Sequence, residues 1–420
     1  MSDALRDLCA SFADAASSVR PKLAELTGGD RAEILHEMAA ALRAQSGPII
    51  QANAKDVEAG ASLSSALRDR LTLDDGRIES MAQAVEQIAA QPDPVGLVVD
   101  GRTLANGVRL EKRRVPIGVI LVIYESRPNV TSDAAALCLK AGNAILLKGG
   151  REAAHSNRAI VDAIRGPLEA RGIGDAATFV DTTDRRAVEL LVQMRGRIDL
   201  CVPRGGRGLI DAVTNAASIP VVKHDAGNCH LYIDAHLDGL DDTAIEIAMD
   251  GKTDRPGVCN AIETLLVHEA QAERLLPRLG AQLRSAGVEL RADPAALAHL
   301  PGANAATEAD WETEYLSLVL AVRVVPSLDA ACAHIRQYGS QHTEAIVTSS
   351  VTSADRFVTL VDSANVMVNC STRFADGGQY GLGAEIGIST DKLHARGPMG
   401  AEDLTTFQWI LQGRGQTRGR

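Results

Sequence analysis

The chain is poor in aromatic residues: phenylalanine, tyrosine and tryptophan together supply 3% of its 420 residues, so any core has to be packed from alanine, valine, leucine and isoleucine. A basic excess is missing as well. The formal net charge is −11, which argues against a nucleic-acid surface and allows an anionic ligand only where cations gather locally. No apolar run approaches the ~20 residues of a membrane span, and the opening Met1-Ser2-Asp3-Ala4-Leu5-Arg6-Asp7 carries no apolar export region. Cysteine pairs are absent too: Cys9, Cys138, Cys201, Cys229, Cys259, Cys332 and Cys370 are scattered and none has CxxC spacing. Neither a disulfide framework nor a metal site is expected, and a cytoplasmic location fits. The G-x-G-x-x-G dinucleotide fingerprint is also lacking.

What is there reads as a soluble α/β protein of two or three domains, with 45% hydrophobic and 23% charged residues. Residues 1 to 95 are expected to be helical, with Ile34, Met38 and Leu42 at helical spacing and an N-cap at Gly28-Gly29-Asp30. Residues 97–111 alternate around Asp100-Gly101 and Asn106-Gly107 and read as a β-hairpin, which is marginal alone and so suggests an oligomerisation arm. Short apolar runs at 117–124, 144–148, 177–181, 199–203 and 219–223, separated by helical patterns, predict a parallel sheet with crossover helices. A second series predicts strands at 231–234, 264–268, 288–291, 319–325, 345–348 and 365–368, with helices between them. Beyond Cys370 the chain is glycine-rich and irregular, and from Gln412 it reads as a frayed basic tail.

One thiol stands out. Asp250-Gly-Lys-Thr-Asp-Arg-Pro-Gly-Val-Cys259-Asn-Ala-Ile runs from a polar loop into a β-branched strand. A cysteine at that junction has main-chain N–H groups free for an oxyanion and Arg255 nearby in sequence to lower its pKa, although a small buried hydrophobe is the ordinary role of a free cysteine. Cys138, Cys201 and Cys332 read as core. Cys229 and Cys370 are the rival nucleophiles, and a Cys229–His230 pair is discounted because neighbours on a strand face opposite ways. Two strand ends, Lys148-Gly149-Gly150-Arg151 and Arg204-Gly205-Gly206-Arg207, could offer N–H groups to a pyrophosphate or could be tight glycine turns.

Tyr124-Glu-Ser-Arg-Pro-Asn-Val-Thr131, Pro203-Arg-Gly-Gly206, Arg255-Pro-Gly-Val-Cys-Asn260, Asn369-Cys-Ser-Thr-Arg-Phe374, Gly381-Leu-Gly-Ala-Glu385 and Leu393-His-Ala-Arg-Gly-Pro-Met-Gly400 occur in this order. Together they resemble the γ-glutamyl phosphate reductases, a branch of the aldehyde dehydrogenase superfamily, from about residue 30 to about residue 410. The resemblance implies an aldehyde dehydrogenase-like fold: two parallel-sheet α/β domains plus a β-ribbon oligomerisation element. On that basis 1–232 is a nucleotide-binding domain carrying the hairpin 96–112, 233–368 a thiol-bearing domain, and 369–420 a return to the nucleotide domain with a C-terminal oligomerisation segment. It implies NADPH-dependent reduction of L-glutamate 5-phosphate to the 5-semialdehyde in proline biosynthesis, in a homo-oligomer (dimer or tetramer) that could contact glutamate 5-kinase.

Residue by residue, the resemblance makes Cys259 the nucleophile; its N–H, with Asn129 or Asn260, is the expected oxyanion donor, and Arg127 and Arg255 are the candidates for the phosphate, which a bidentate guanidinium suits. Arg373, His394 and Arg396 are weaker candidates. Lys148, Gly149, Arg151, Gly205, Gly206 and Glu314 become the cofactor contacts. Arg151 stands where NAD-using relatives often carry a glutamate, and a cation there suits a 2′-phosphate, hence NADP. Lys223-His224-Asp225-Ala226-Gly227 lacks the water-activating glutamate of hydrolytic relatives. Ser126 lies near where those relatives keep an oxyanion asparagine. An enzyme whose thioester must meet hydride or phosphate gains nothing from activating water. Two other functions remain open: a non-phosphorylating aldehyde dehydrogenase for another semialdehyde, and a catalytically idle nucleotide-binding protein.

Overall fold

The computed structural model describes residues 2–223 and 226–418. Helices Ser2–Ser18 through Asp75–Ala90 fill the N-terminal segment as expected. The helix Gly28–Ala44 is started by a capping box of Thr27 and Asp30, so Thr27 is the cap and Asp30 its N3 partner. Its buried stripe, Ile34, Leu35, Met38, Ala39 and Leu42, packs into a core shared with the first sheet.

β1 (Val98–Thr103) and β2 (Arg109–Pro116) form the expected ribbon, turning at Asn106-Gly107, where Gly107 has φ +80°. Asp100-Gly101 lies inside β1 at a register irregularity and makes no turn. Then come β3 (Val119–Tyr124), β4 (Ala144–Gly149), β5 (Ala177–Phe179) and β6 (Leu200–Arg204), all parallel in the order β5-β4-β3-β6. The expected strand at 219–223 is a correction. It contributes one bridge, Val221 to Cys201, because Pro220 accepts from Cys201 N–H but has no N–H to extend the ladder.

The second sheet holds β7 (Cys229–Ile233), β8 (Ile262–His268), β9 (Glu289–Ala292), β10 (Asn304–Ala305), β11 (Val319–Val325), β12 (Thr343–Val347) and β13 (Asn365–Val368). All are parallel, in the order β10-β9-β11-β8-β7-β12-β13. β7, beginning at Cys229, belongs to this sheet. The tail is less irregular than its glycines suggest. It forms β14 (Ile388–Ser389), β15 (Gly397–Pro398) and β16 (Thr405–Gln412), and β16 pairs antiparallel with β2 over its whole length. Ile386, Met399 and Leu404 are buried in the first core. No helix among the described residues is long and apolar enough to cross a membrane.

Two topological facts position the site. Strand order reverses between β3 and β6, opening a crevice at the carboxyl ends of the first sheet, the usual ligand position in open α/β sheets. Across from it, Gly227, Cys259 and Glu314 lie just before the adjacent strands β7, β8 and β11, at the amino edge of the second sheet.

Candidate active site

Cys259 sits in the turn entering β8 and is partly exposed, outside every hydrophobic cluster. Its carbonyl accepts from the buried Cys229 thiol at 3.1 Å. The turn is held from the other lobe as well, because Arg70, on the helix Ser65–Leu71, donates to the Gly257 carbonyl at 2.7 Å. The main-chain N–H groups of Cys259 and Asn260 donate to nothing among the described residues. An anion forming beside the sulfur has those two donors within the same turn.

Burial, with the nearby carboxylate of Glu385, pushes the Cys259 thiol up to about 11, and Glu314 adds to this; Arg204 and Arg127 act in the opposite sense. The cations that act on the sulfur thus come from the ends of β6 and β3 in the other lobe. Arg255, expected to do so, is exposed and makes no hydrogen bond or ion pair among the described residues. This carries a measurable consequence. Thiols react as thiolates, so iodoacetamide alkylation of Cys259 in the free enzyme is expected to accelerate roughly tenfold per pH unit from 7 to 10. A rate already level by pH 8 would show that the cations dominate.

The crevice residues follow from β3, β4 and β6. Ser126, just beyond β3, is buried at φ +34°, a strained conformation of the kind that collects at functional sites. Its N–H and hydroxyl both donate to Glu152 Oε1, at 2.7 and 3.0 Å. Arg127 follows, half-buried, and Arg204 ends β6. Neither guanidinium has a hydrogen bond or ion pair among the described residues. Lys148 is buried at the end of β4, its ammonium on the Gly149 carbonyl at 3.1 Å and its pKa lowered by burial. Arg151 is exposed and unpaired among the described residues. The Gly205-Gly206 turn opens the helix Arg207–Ala216, but Gly206 N–H already donates to Glu125 Oε2 at 2.9 Å. A pyrophosphate arriving there competes with an internal carboxylate.

Other expected residues are occupied. Asn260 is buried, with its amide donating to the Ala375 carbonyl at 2.9 Å and its oxygen accepting from Arg373. Arg373 also pairs with Asp254 at 3.1 Å. Both side chains therefore tie the thiol turn to the segment after β13, and neither is free for an oxyanion or a phosphate. Asn129 donates to Asp133 at 3.0 Å. Arg396 pairs with Asp362, and His394 meets the Asp403 carbonyl. Glu314 accepts from Gly227 N–H at 2.8 Å, and burial raises its pKa.

Of the rival thiols, Cys229 is fully buried and its pKa lies well above the ordinary thiol value. His230 turns away to Glu344 at 3.0 Å. Cys370 is raised by burial too, and packs against the second core. The segment lacking the water-activating glutamate includes His224 and Asp225, which lie outside the described residues. Arg204 and Glu385 were not singled out for chemistry from sequence, although both stand inside motifs quoted above; only their nearness to the sulfur marks them.

A model of the aldehyde dehydrogenase family matches residues 2–299. A protein of Thermobifida fusca (strain YX), named gamma-glutamyl phosphate reductase, is 51% identical over 421 residues, covering 100% of both chains. A protein of the same name from Moorella thermoacetica is 51% identical over 94% of this chain and 95% of its own. The crystal structure of gamma-glutamyl phosphate reductase from Thermotoga maritima superposes with a TM-score of 0.95 at 42% identity, covering 98% of this chain and 99% of that one. An acetylating aldehyde dehydrogenase of Geobacillus thermoglucosidasius shares the fold, with a TM-score of 0.72 at 16% identity, covering 99% and 98%.

Proposed function

This chain belongs to the aldehyde dehydrogenase family, on its γ-glutamyl phosphate reductase branch, and from that premise we propose that it reduces L-glutamate 5-phosphate to the 5-semialdehyde with NADPH, through a thioester on Cys259, in the cytoplasm. Membership implies an oxidoreductase with a nicotinamide cofactor. The observation that carries the finer reading is a partly exposed thiol acted on by two guanidinium groups, of Arg127 and Arg204, that have no hydrogen bond or ion pair among the described residues and stand at the carboxyl ends of the first sheet.

The Cys259 sulfur attacks the acyl carbon and phosphate departs. Because the free thiol holds its proton at pH 7, the balance is simple: that proton leaves on the phosphate as the S–C bond forms and the C–O bond breaks. Arg127 and Arg204 suit the phosphate, and the N–H groups of Cys259 and Asn260 suit the oxyanion. Lys148 and Arg151, which has no hydrogen bond or ion pair among the described residues, are cations that fit a phosphorylated dinucleotide at the ends of the first sheet. That cofactor, when bound, supplies the hydride that releases the aldehyde from sulfur. Leu97, Val98, Val99, Phe407, Trp409 and Leu411 leave the three-stranded ribbon unusually apolar outside, which supports pairing with a second copy. Glutamate 5-kinase remains in the proposal as the source of the acyl phosphate.

The test is the oxidative direction, with and without inorganic phosphate and with NADP⁺ against NAD⁺. Turnover is expected only with phosphate, with NADP⁺ preferred by ~10-fold or more, the worth of a charge-assisted contact. Equal rates without phosphate would support the non-phosphorylating alternative.

A further inference from the structure

The sequence Gly381-Leu-Gly-Ala-Glu385 has so far been given no task. Glu385 is half-buried, and its Oε2 is fixed by the Gly377 N–H at 2.8 Å, while Oε1 has no donor among the described residues. Two residues on, a Cβ placed on Gly387 would stand 3.1 Å from Arg204 Nη1, so the Arg204 guanidinium lies along the backbone that carries Glu385. The other carboxylate that acts on the thiol, Glu314, likewise has one oxygen held by a backbone N–H, that of Gly227; of the two it is Glu385 that has the Arg204 guanidinium lying along its backbone.

Among the described residues, two guanidinium groups without a hydrogen bond or ion pair and one carboxylate oxygen without a donor form a charge pattern. The substrate proposed above carries its complement: two anionic ends, the acyl phosphate and the α-carboxylate, and one cation, the α-ammonium. Resting on that reading, we propose that Glu385 receives the α-ammonium group of the substrate and selects amino-acid substrates over the same chain without nitrogen. A carboxylate beside a nucleophilic sulfur is otherwise a handicap, since Glu385 is the nearby charge that most opposes ionisation of Cys259. An ammonium ion seated on it cancels that charge. The correct substrate thereby eases its own attack.

The experiment uses the full-length enzyme in the oxidative direction with phosphate. It compares kcat/KM for glutamate 5-semialdehyde with that for 5-oxopentanoate, which lacks the amino group. Wild type is expected to prefer the amino acid by ~10- to 100-fold, the range for a hydrogen bond to a charged group. Glu385→Gln can still accept from Gly377, and is expected to bring the ratio within roughly threefold of unity. A general effect on thiol ionisation or on folding changes both substrates together and leaves the ratio alone, so an unchanged ratio in Glu385→Gln overturns the proposal. A second readout needs no variant: L-glutamate is expected to protect wild-type Cys259 from iodoacetamide at ~10-fold lower concentration than glutarate, and equal protection also overturns it. Phosphate-independent oxidation of both aldehydes would instead overturn the acyl-phosphate reading, while the ratio still reports on Glu385.

Discussion

Cys259→Ala is expected to lower phosphate-dependent turnover by ~10⁴-fold or more, the scale seen when a covalent nucleophile is removed. No other thiol is placed to substitute. Cys9, Cys138, Cys201, Cys229 and Cys332 are buried, and Cys370 lies against the second core. The loss is also expected to be purely catalytic. The Cys259 sulfur makes no hydrogen bond among the described residues, and what ties the turn down is its carbonyl, through Cys229, and Gly257, through Arg70. Alanine keeps both ties, so the melting temperature should change by no more than ~2 °C, as for a substitution worth well under 1 kcal/mol. Turnover within tenfold of wild type would eliminate the thioester route, and a collapsed fold would mean that the thiol is structural.

Gly227→Ala should cost ~10²-fold or more in kcat although it touches no reacting atom, because small displacements of a reacting group carry penalties of that size. A Cβ at residue 227 would stand 2.0 Å from the Cys259 carbonyl oxygen and 2.5 Å from its Cα. Both are main-chain atoms, so no flexible side chain can yield. The turn carrying Cys259 has to move, and the Gly227 N–H that holds Glu314 moves with it. Gly208→Ala is the matched control: nothing lies within 4 Å of the added carbon, and its effect should stay within ~0.5 kcal/mol. If Gly227→Ala retained full kcat, the close approach of the two backbones would have no bearing on the placement of the sulfur.

Much of the fold was legible because it follows from short-range pattern. β11 and β13, and the helix Leu328–Tyr338, begin and end where their apolar periodicity does. The failures have physical reasons. The run 219–223 has strand composition, but a proline interrupts its donors. β16 carries no expectation from the sequence: its pairing comes from β2, nearly three hundred residues earlier, and Phe407, Trp409 and Leu411 stay exposed in the fold, so no buried face of its own defines it. The glycine turn after β6 was read as open to an anion. Glu125 already fills one of its donors, and a Cβ on Gly205 would lie 2.4 Å from that carboxylate.

At the site the division is sharper. Cys259 could be picked out by its position between a polar loop and a strand, and the flanking motifs identified the family. Asn260 and Arg373 were chosen for the right chemistry but are committed to each other and to Asp254.

From the sequence alone came the alternation of strands and helices, the helical N-terminal segment, the hairpin and the candidate thiol, because each depends on residues within a few positions of one another. Tertiary structure decided which charges face that thiol. Arg127, Arg204, Glu314 and Glu385 come from four separate stretches of chain, and Coulomb interaction depends on distance through space, not along the backbone. Arg255, four residues away in sequence, is exposed and unpaired among the described residues; Arg204, more than fifty residues away, helps set the charge at the sulfur.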